Sequence, residues 1–219
     1  MFKTIGILGG TFDPVHNGHL RLALEILQRA ALDHVRFIPC YQPVHRPPAK
    51  ASAEHRLAML QCAIENEPYL KIDERELQRQ EPSYMIDTLK SLHAEYSDAR
   101  LCLIVGNDAF LTFDDWRAFE TIFQYCHIIV ASRPSITRPT DGVLGRAVTL
   151  RETHEINDLH VKPAGCIFFQ PIPVLDITST DIRHHFYTGS NPRYLLPDSV
   201  YHYICKHSLY SHLLTEKIS

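Results

Sequence analysis

The chain has 219 residues, 45% of them hydrophobic and 21% charged, with a formal net charge of -3. That balance excludes disorder, a collagen-like chain and a coiled coil, and it predicts one compact domain whose core buries about 70% of the unfolded surface. Near-parity of 22 Lys+Arg with 25 Asp+Glu argues against an extended nucleic-acid face, which needs excess cationic charge, and no apolar run approaches the roughly 20 residues of a membrane span.

Apolar runs of strand length alternate with longer runs of helical period. This pattern predicts a Rossmann-like doubly wound parallel sheet, α/β, with helices on both faces. KTIGIL at 3–8 opens as a strand that ends at Gly9-Gly10, where a signal peptide would need a longer apolar stretch; a cytoplasmic location is expected. Residues 17–31 predict a helix with Leu20, Ala23, Leu24, Leu27 and Ala31 on one stripe. VRFIP at 35–39 reads as the second strand. Pro43, Pro47 and Pro48 make 40–51 an exposed loop at the carboxyl edge of the sheet.

A helix over 53–66 follows, capped by Ser52. Another spans 83–96, where Met85, Ile86, Leu89, Leu92 and Tyr96 share a face. LCLIV at 101–105 and HIIVA at 127–131 predict buried strands. Residues 132–165, richer in Pro, Gly, Thr and charge, read as a variable, partly helical excursion. CIFFQ at 166–170 resumes a strand, a helix runs from Ser179 to Tyr187, and 197–207 closes the chain as a helix with Pro197 near its first turn. The expected organisation is a main α/β domain over 1–187 with a small helical extension, 188–219, packed on it. The six cysteines never fall at the two-residue spacing of zinc or redox pairs and read as small, reduced core residues.

GGTFDPVHNGHL at 9–20 sits between the first strand and the first helix, where an open parallel sheet places its ligands. Gly9 and Gly10 allow a close backbone approach, and the helix start near Asn17 offers unpaired N–H groups to an anion. His16 and His19, three apart, project to the same side, and Gly18 between them leaves room for a phosphate. Imidazole N–H groups donate to phosphate whether neutral or charged. Two histidines without a third ligand make a poor zinc site. At roughly one in twenty per fixed position, the eight residues Gly9, Gly10, Thr11, Phe12, Asp13, His16, Gly18 and His19 coincide by chance at about 10⁻¹⁰ per window.

The string resembles the signature of the HxGH nucleotidyltransferase superfamily. PVHRPPAK at 43–50, VGNDAFLTFDDW at 105–116 and ITSTDIR at 177–183 narrow the resemblance to the bacterial nicotinate-nucleotide adenylyltransferases. It runs from residue 5 to about residue 210 and is weakest across 133–165. What the resemblance implies is transfer of AMP from ATP to nicotinate mononucleotide, a step of NAD synthesis that yields nicotinate adenine dinucleotide and pyrophosphate by direct in-line attack without a covalent intermediate. The attacking phosphate monoester has a second pKa of about 6 and needs no general base. Catalysis then rests on alignment and on stabilising charge at the phosphates.

The resemblance further implies that His16, His19 and Arg183 are the catalytic groups. The ATP site would comprise Gly9, Gly10, Thr11, Phe12, Gly18, His45, Arg46, Gly106, Asp108, Thr178, Ser179 and Thr180, with Asp108 on a ribose. Tyr84, Met85, Trp116 and Arg117 would bind nicotinate mononucleotide, Trp116 by stacking on the pyridine ring and the amides near 85 and 117 by taking its carboxylate. Met85 stands where threonine is usual in that family, Arg117 where an aromatic is usual, and Thr178 where serine is common. Arg117 is expected to compensate by charge or a cation–π contact. Mg²⁺ is expected on the ATP phosphates, with no protein cage.

Plainer readings stand beside these. Ser179 to Arg183 can be an ordinary capped helix, Asp108 a helix cap, Trp116 a core aromatic, and His45 with Arg46 either a flap over the phosphates or a solvated basic loop. The competing functions are transfer to another phosphomonoester, by adenylylation or cytidylylation, and a nucleotide-sensing module without activity.

Overall fold

The computed structural model describes residues 2–44, 47–132, 138–173 and 175–211. In chain order its elements are β1 (Lys3–Gly10), α1 (Asn17–Arg29), β2 (His34–Pro39), β3 (Gln42–Pro43), α2 (Ala53–Ile64), β4 (Leu70–Ile72), α3 (Arg75–Arg79), β5 (Pro82–Ser83), α4 (Met85–Glu95), β6 (Ala99–Gly106) and α5 (Asn107–Phe110). A 3₁₀ turn (Phe113–Asp115) leads to α6 (Phe119–Ile122), β7 (His127–Ser132), α7 (Gly142–Arg151), α8 (Asp158–Val161), β8 (Ile167–Pro171), α9 (Ser179–Thr188) and α10 (Asp198–Lys206).

The main sheet has the order β4-β2-β1-β6-β7-β8 with every pairing parallel. The chain winds outward from β1 through β2 to β4, then returns to β6 on the other side of β1 and winds outward again. Loops leaving the carboxyl ends of β1 and β6 therefore part to opposite faces and open a crevice between them.

Strand alternation divides the core into two layers. Leu8, Cys102, Ile104 and Ile129 pack with Ile26, Met59, Leu60, Ile182, Val200 and Ile204 on one face. Ile5, Ile7, Leu101, Leu103 and Val105 pack with Ile86, Leu89, Phe110, Ile122 and Val148 on the other. Each fully buried aliphatic side chain contributes roughly 1.5–3 kcal/mol, so burial on both faces holds the strands that position the crevice. α10 shares the first layer and lies against α2.

Three expectations change. Ala31 is exposed beyond the end of α1 at φ 47, and the buried stripe runs through Ala23, Ile26, Leu27 and Ala30 instead. The proline-rich stretch is not loop throughout, because Gln42–Pro43 pairs in parallel with Pro82–Ser83. β4, at the sheet edge, and α3 add elements where no periodicity announced them. All six cysteines are free, and Cys40, Cys102, Cys126 and Cys166 are buried while Cys205 is exposed. No helix among the described residues is long and apolar enough to cross a membrane.

Candidate active site

The turn after β1 is shaped by its neighbours. A Cβ on Gly10 would stand 2.8 Å from the Phe12 ring, and one on Gly9 would stand 2.6 Å from Met85 Cε, so glycine lets the chain pass over both. Phe12 takes a left-handed φ of 50 and buries its ring against Phe37 and edge-on to His19. Below the turn lies Arg56, only 1% exposed, donating from Nη1 to the Thr11 carbonyl at 2.8 Å and from Nη2 to the Tyr41 carbonyl at 3.2 Å. The Asp13–Pro14 peptide is cis. Asp13 buries its carboxylate and accepts the amides of Lys50 and Ala51 and the Tyr210 hydroxyl.

His16 is the extended N-cap residue of α1, and its ring stacks on His19 with centroids 3.7 Å apart. The His16 amide donates to His19 Nδ1 at 3.3 Å; that nitrogen is then an acceptor, which leaves the ring proton on Nε2. Burial lowers the His16 pKa to about 4, so this imidazole is neutral at pH 7. A Cβ on Gly18 would stand 2.9 Å from His16 Nδ1, so the missing side chain makes way for the imidazole. The start of α1 is also less open than the sequence suggested. The Asn17 amide donates to the Leu195 carbonyl at 2.9 Å and its side chain to the Tyr194 carbonyl at 2.8 Å, while the His19 and Leu20 amides turn back to the His16 carbonyl.

α9 docks on the same turn. Ser179 Oγ donates to the Pro14 carbonyl at 2.9 Å. Thr178 caps the helix, accepting the Asp181 amide at 3.1 Å and donating to its carboxylate at 2.6 Å. Of the three hydroxyls expected at the ATP site, those of Thr178 and Ser179 thus give their protons to protein acceptors. Arg183, one turn along, donates to the Asp13 carbonyl at 2.6 Å and to Thr180 Oγ1 at 3.2 Å. His16, His19, Thr180 and Arg183 therefore surround one turn, with the cation coming from a helix 170 positions away.

Across the crevice, Gly106 is the N-cap of α5 and Asp108 lies exposed in its first turn. A Cβ on Gly106 would meet nothing within 4 Å, so no protein atom demands a glycine there. Trp116 is half-buried on Phe113, centroids 5.0 Å apart. Tyr84 caps α4, and the Arg117 guanidinium lies 4.6 Å from its ring centre and 3.5 Å from the Asp87 carboxylate. Met85, through its methyl against Gly9, joins this half of the site to the first. His45 and Arg46 lie outside the described residues. Among the described residues no three His, Cys, Asp or Glu side chains converge as metal ligands.

Arg56 and Tyr210 are neighbours of the turn that sequence reasoning passed over, and Asp13 was named there only as part of the string, without a role. For Arg56 the signal existed: it stands at the spacing of Met59, Leu60 and Ala63 on the buried face of its helix, where an unpaired cation is out of place.

The sequence pattern of the cytidylyltransferase-like family matches residues 7–185. A probable nicotinate-nucleotide adenylyltransferase of Methylococcus capsulatus is 44% identical over 208 residues, 94% of this chain and 99% of that protein. One of Hahella chejuensis is 45% identical over 94% of this chain and 95% of its own. Among solved structures, Plasmodium falciparum nicotinic acid mononucleotide adenylyltransferase complexed with NaAD superposes with a TM-score of 0.70 at 18% identity, over 95% of this chain and 97% of that one, and shares the fold.

Proposed function

The chain belongs to the nicotinate-nucleotide adenylyltransferases, within the cytidylyltransferase-like family, and on that premise we propose that it joins ATP and nicotinate mononucleotide into nicotinate adenine dinucleotide and pyrophosphate. The observation that carries the reading is the gathering of the His16–His19 pair, Thr180 and Arg183 around the turn that follows β1, at the switch point of the sheet. A phosphate oxygen of the mononucleotide attacks the α-phosphorus of ATP while the bond to the pyrophosphate oxygen breaks. No group on the protein is adenylylated, and the ionised phosphate needs no base.

The protein contributes alignment and charge. His19 Nε2–H and the amides of Gly9 to Phe12 present donors. The permanently charged fork of Arg183 suits phosphate oxygens better than an ammonium does. Asp108 accepts from the ribose. Trp116 faces the pyridine ring, and Tyr84 with Arg117 forms the wall beside it, where the guanidinium offers a cation to the pyridine carboxylate. Mg²⁺ held mainly by the ATP phosphates and water would neutralise part of their charge. The location that suits ATP and six free thiols is the cytoplasm.

Pyrophosphate release from ATP, measured with nicotinate mononucleotide, nicotinamide mononucleotide, phosphopantetheine and glycerol phosphate as acceptors, tests the proposal. Nicotinate mononucleotide is expected to give the highest kcat/KM. A higher value for any other acceptor reassigns the substrate, and ATP binding without turnover with all of them leaves a sensor.

A further inference from the structure

We propose that Glu76 is a positioning residue for the mononucleotide half of the site: from beneath α4 its carboxylate fixes the turn that carries Tyr84, Met85 and Asp87 to the crevice. The inference rests on the assignment of Tyr84, Met85 and Arg117 to nicotinate mononucleotide made above, and it names the group that holds them.

Glu76 lies on the short helix α3 and is 3% exposed. A carboxylate withdrawn from water needs donors. Thr88, fully buried on α4, donates its hydroxyl to Glu76 Oε1 at 2.6 Å and accepts Arg79 Nη2 at 2.7 Å. The same Nη2 stands 4.0 Å from Glu76 Oε1, so the guanidinium reaches the carboxylate through the threonine. Burial pushes the Glu76 pKa upward, and hydrogen bonds from Thr88 and Ser83 together with the Arg79 charge oppose the rise. Ser83 Oγ also accepts the Tyr41 amide at 3.0 Å. Glu76 therefore grips residues on both sides of Tyr84, one just before α4 and one a turn into it.

The first turn of α4 lacks the usual lock. Tyr84, its N-cap, makes no side-chain capping hydrogen bond, where Ser, Thr, Asp or Asn would ordinarily hold the first amides. Three contacts of the site nevertheless depend on this turn. A Cβ on Gly9 would stand 2.6 Å from Met85 Cε, and the Arg117 guanidinium lies 4.6 Å from the Tyr84 ring centre and 3.5 Å from the Asp87 carboxylate. A helical threonine without an outside acceptor turns its hydroxyl back to the carbonyl four residues earlier and often bends the helix. For Thr88 that carbonyl belongs to Tyr84, which already takes the amides of Asp87 and Thr88. Losing Glu76 therefore shifts the wall beside the pyridine ring, while the phosphate turn keeps its own anchors at Arg56 and Asp13.

Steady-state kinetics on the full chain tests this. Glu76→Met offers Thr88 no oxygen and should raise KM for nicotinate mononucleotide about tenfold, the scale of one hydrogen bond to a charged group, with KM for ATP unchanged. Glu76→Gln retains an oxygen acceptor and should stay within about threefold of the parent. Adding Thr88→Val to Glu76→Met should change KM for the mononucleotide by less than about twofold more, because the two side chains act through one contact. A role confined to stability lowers the melting temperature of Glu76→Met and leaves both KM values alone, which overturns the proposal. A parallel rise in both KM values, or a Glu76→Gln enzyme as impaired as Glu76→Met, overturns it too. If Glu76→Met does not fold, Thr88→Val alone carries the same expectations. Arg117→Ala separates the two readings. An unaltered KM for nicotinate mononucleotide in that variant refutes the placing of the substrate on this wall, whereas a raised KM beside an unaffected Glu76→Met refutes only the role of Glu76.

Discussion

His16 and His19 were legible as a pair because a three-residue spacing at a helix start leaves their rings on one side. Their division of labour was not, since it depends on burial and on which nitrogen accepts the His16 amide. With His19 Nε2–H as the donor, His19→Ala should lower turnover by about two orders of magnitude, within the range for a lost transition-state donor; binding constants for ATP measured alongside separate loss of chemistry from loss of fold. Because His16 has its pKa lowered to about 4, the acid limb of kcat/KM should reflect the mononucleotide phosphate near pH 6. A limb that moves by a full unit in His16→Asn contradicts this. Arg117 was legible as a departure from a pattern that charge or a cation–π contact would offset, and its contacts with Tyr84 and Asp87 give it a geometry. Arg117→Ala should raise KM for nicotinate mononucleotide and leave KM for ATP in place.

At the scale of elements, five of the six strands of the main sheet announced themselves because strands buried on both faces read as unbroken apolar runs. β3, β4, β5 and α3 carry no such signal. They are two to five residues long and are set by pairing or contact across the fold, as when Gln42–Pro43 meets Pro82–Ser83. α2 looked like a plain amphipathic helix, yet it delivers Arg56 beneath the first turn. Arg56→Met removes both donors and leaves the Thr11 and Tyr41 carbonyls without them, which should cost about 3 kcal/mol of unfolding free energy. Denaturant melts check it, and a variant as stable as the parent shows that the two carbonyls find other partners.

On the scale of the whole molecule, the switch point followed from strand order, but the sequence could not say that the carboxyl-terminal segment returns to the first turn. Leu195 and Tyr194 hold Asn17, and Tyr210 holds Asp13. Such contacts span the chain and leave no local periodicity. Three buried histidines, His16, His34 and His127, all have their pKa lowered to about 4, chiefly by burial. The unfolded chain takes up their protons near pH 6.5 while the folded chain does so only near 4, so stability is complete above 6.5 and falls as pH drops between those values, by up to about three protons in slope. Melting temperatures that stay level from pH 7 to 4.5 contradict this. The central claim is that two imidazoles and one guanidinium hold the triphosphate at the switch point, and a crystal structure with a non-hydrolysable ATP analogue tests it directly. The account predicts phosphate oxygens within hydrogen-bond distance of His19 Nε2 and the Arg183 guanidinium, and a triphosphate seated elsewhere contradicts it.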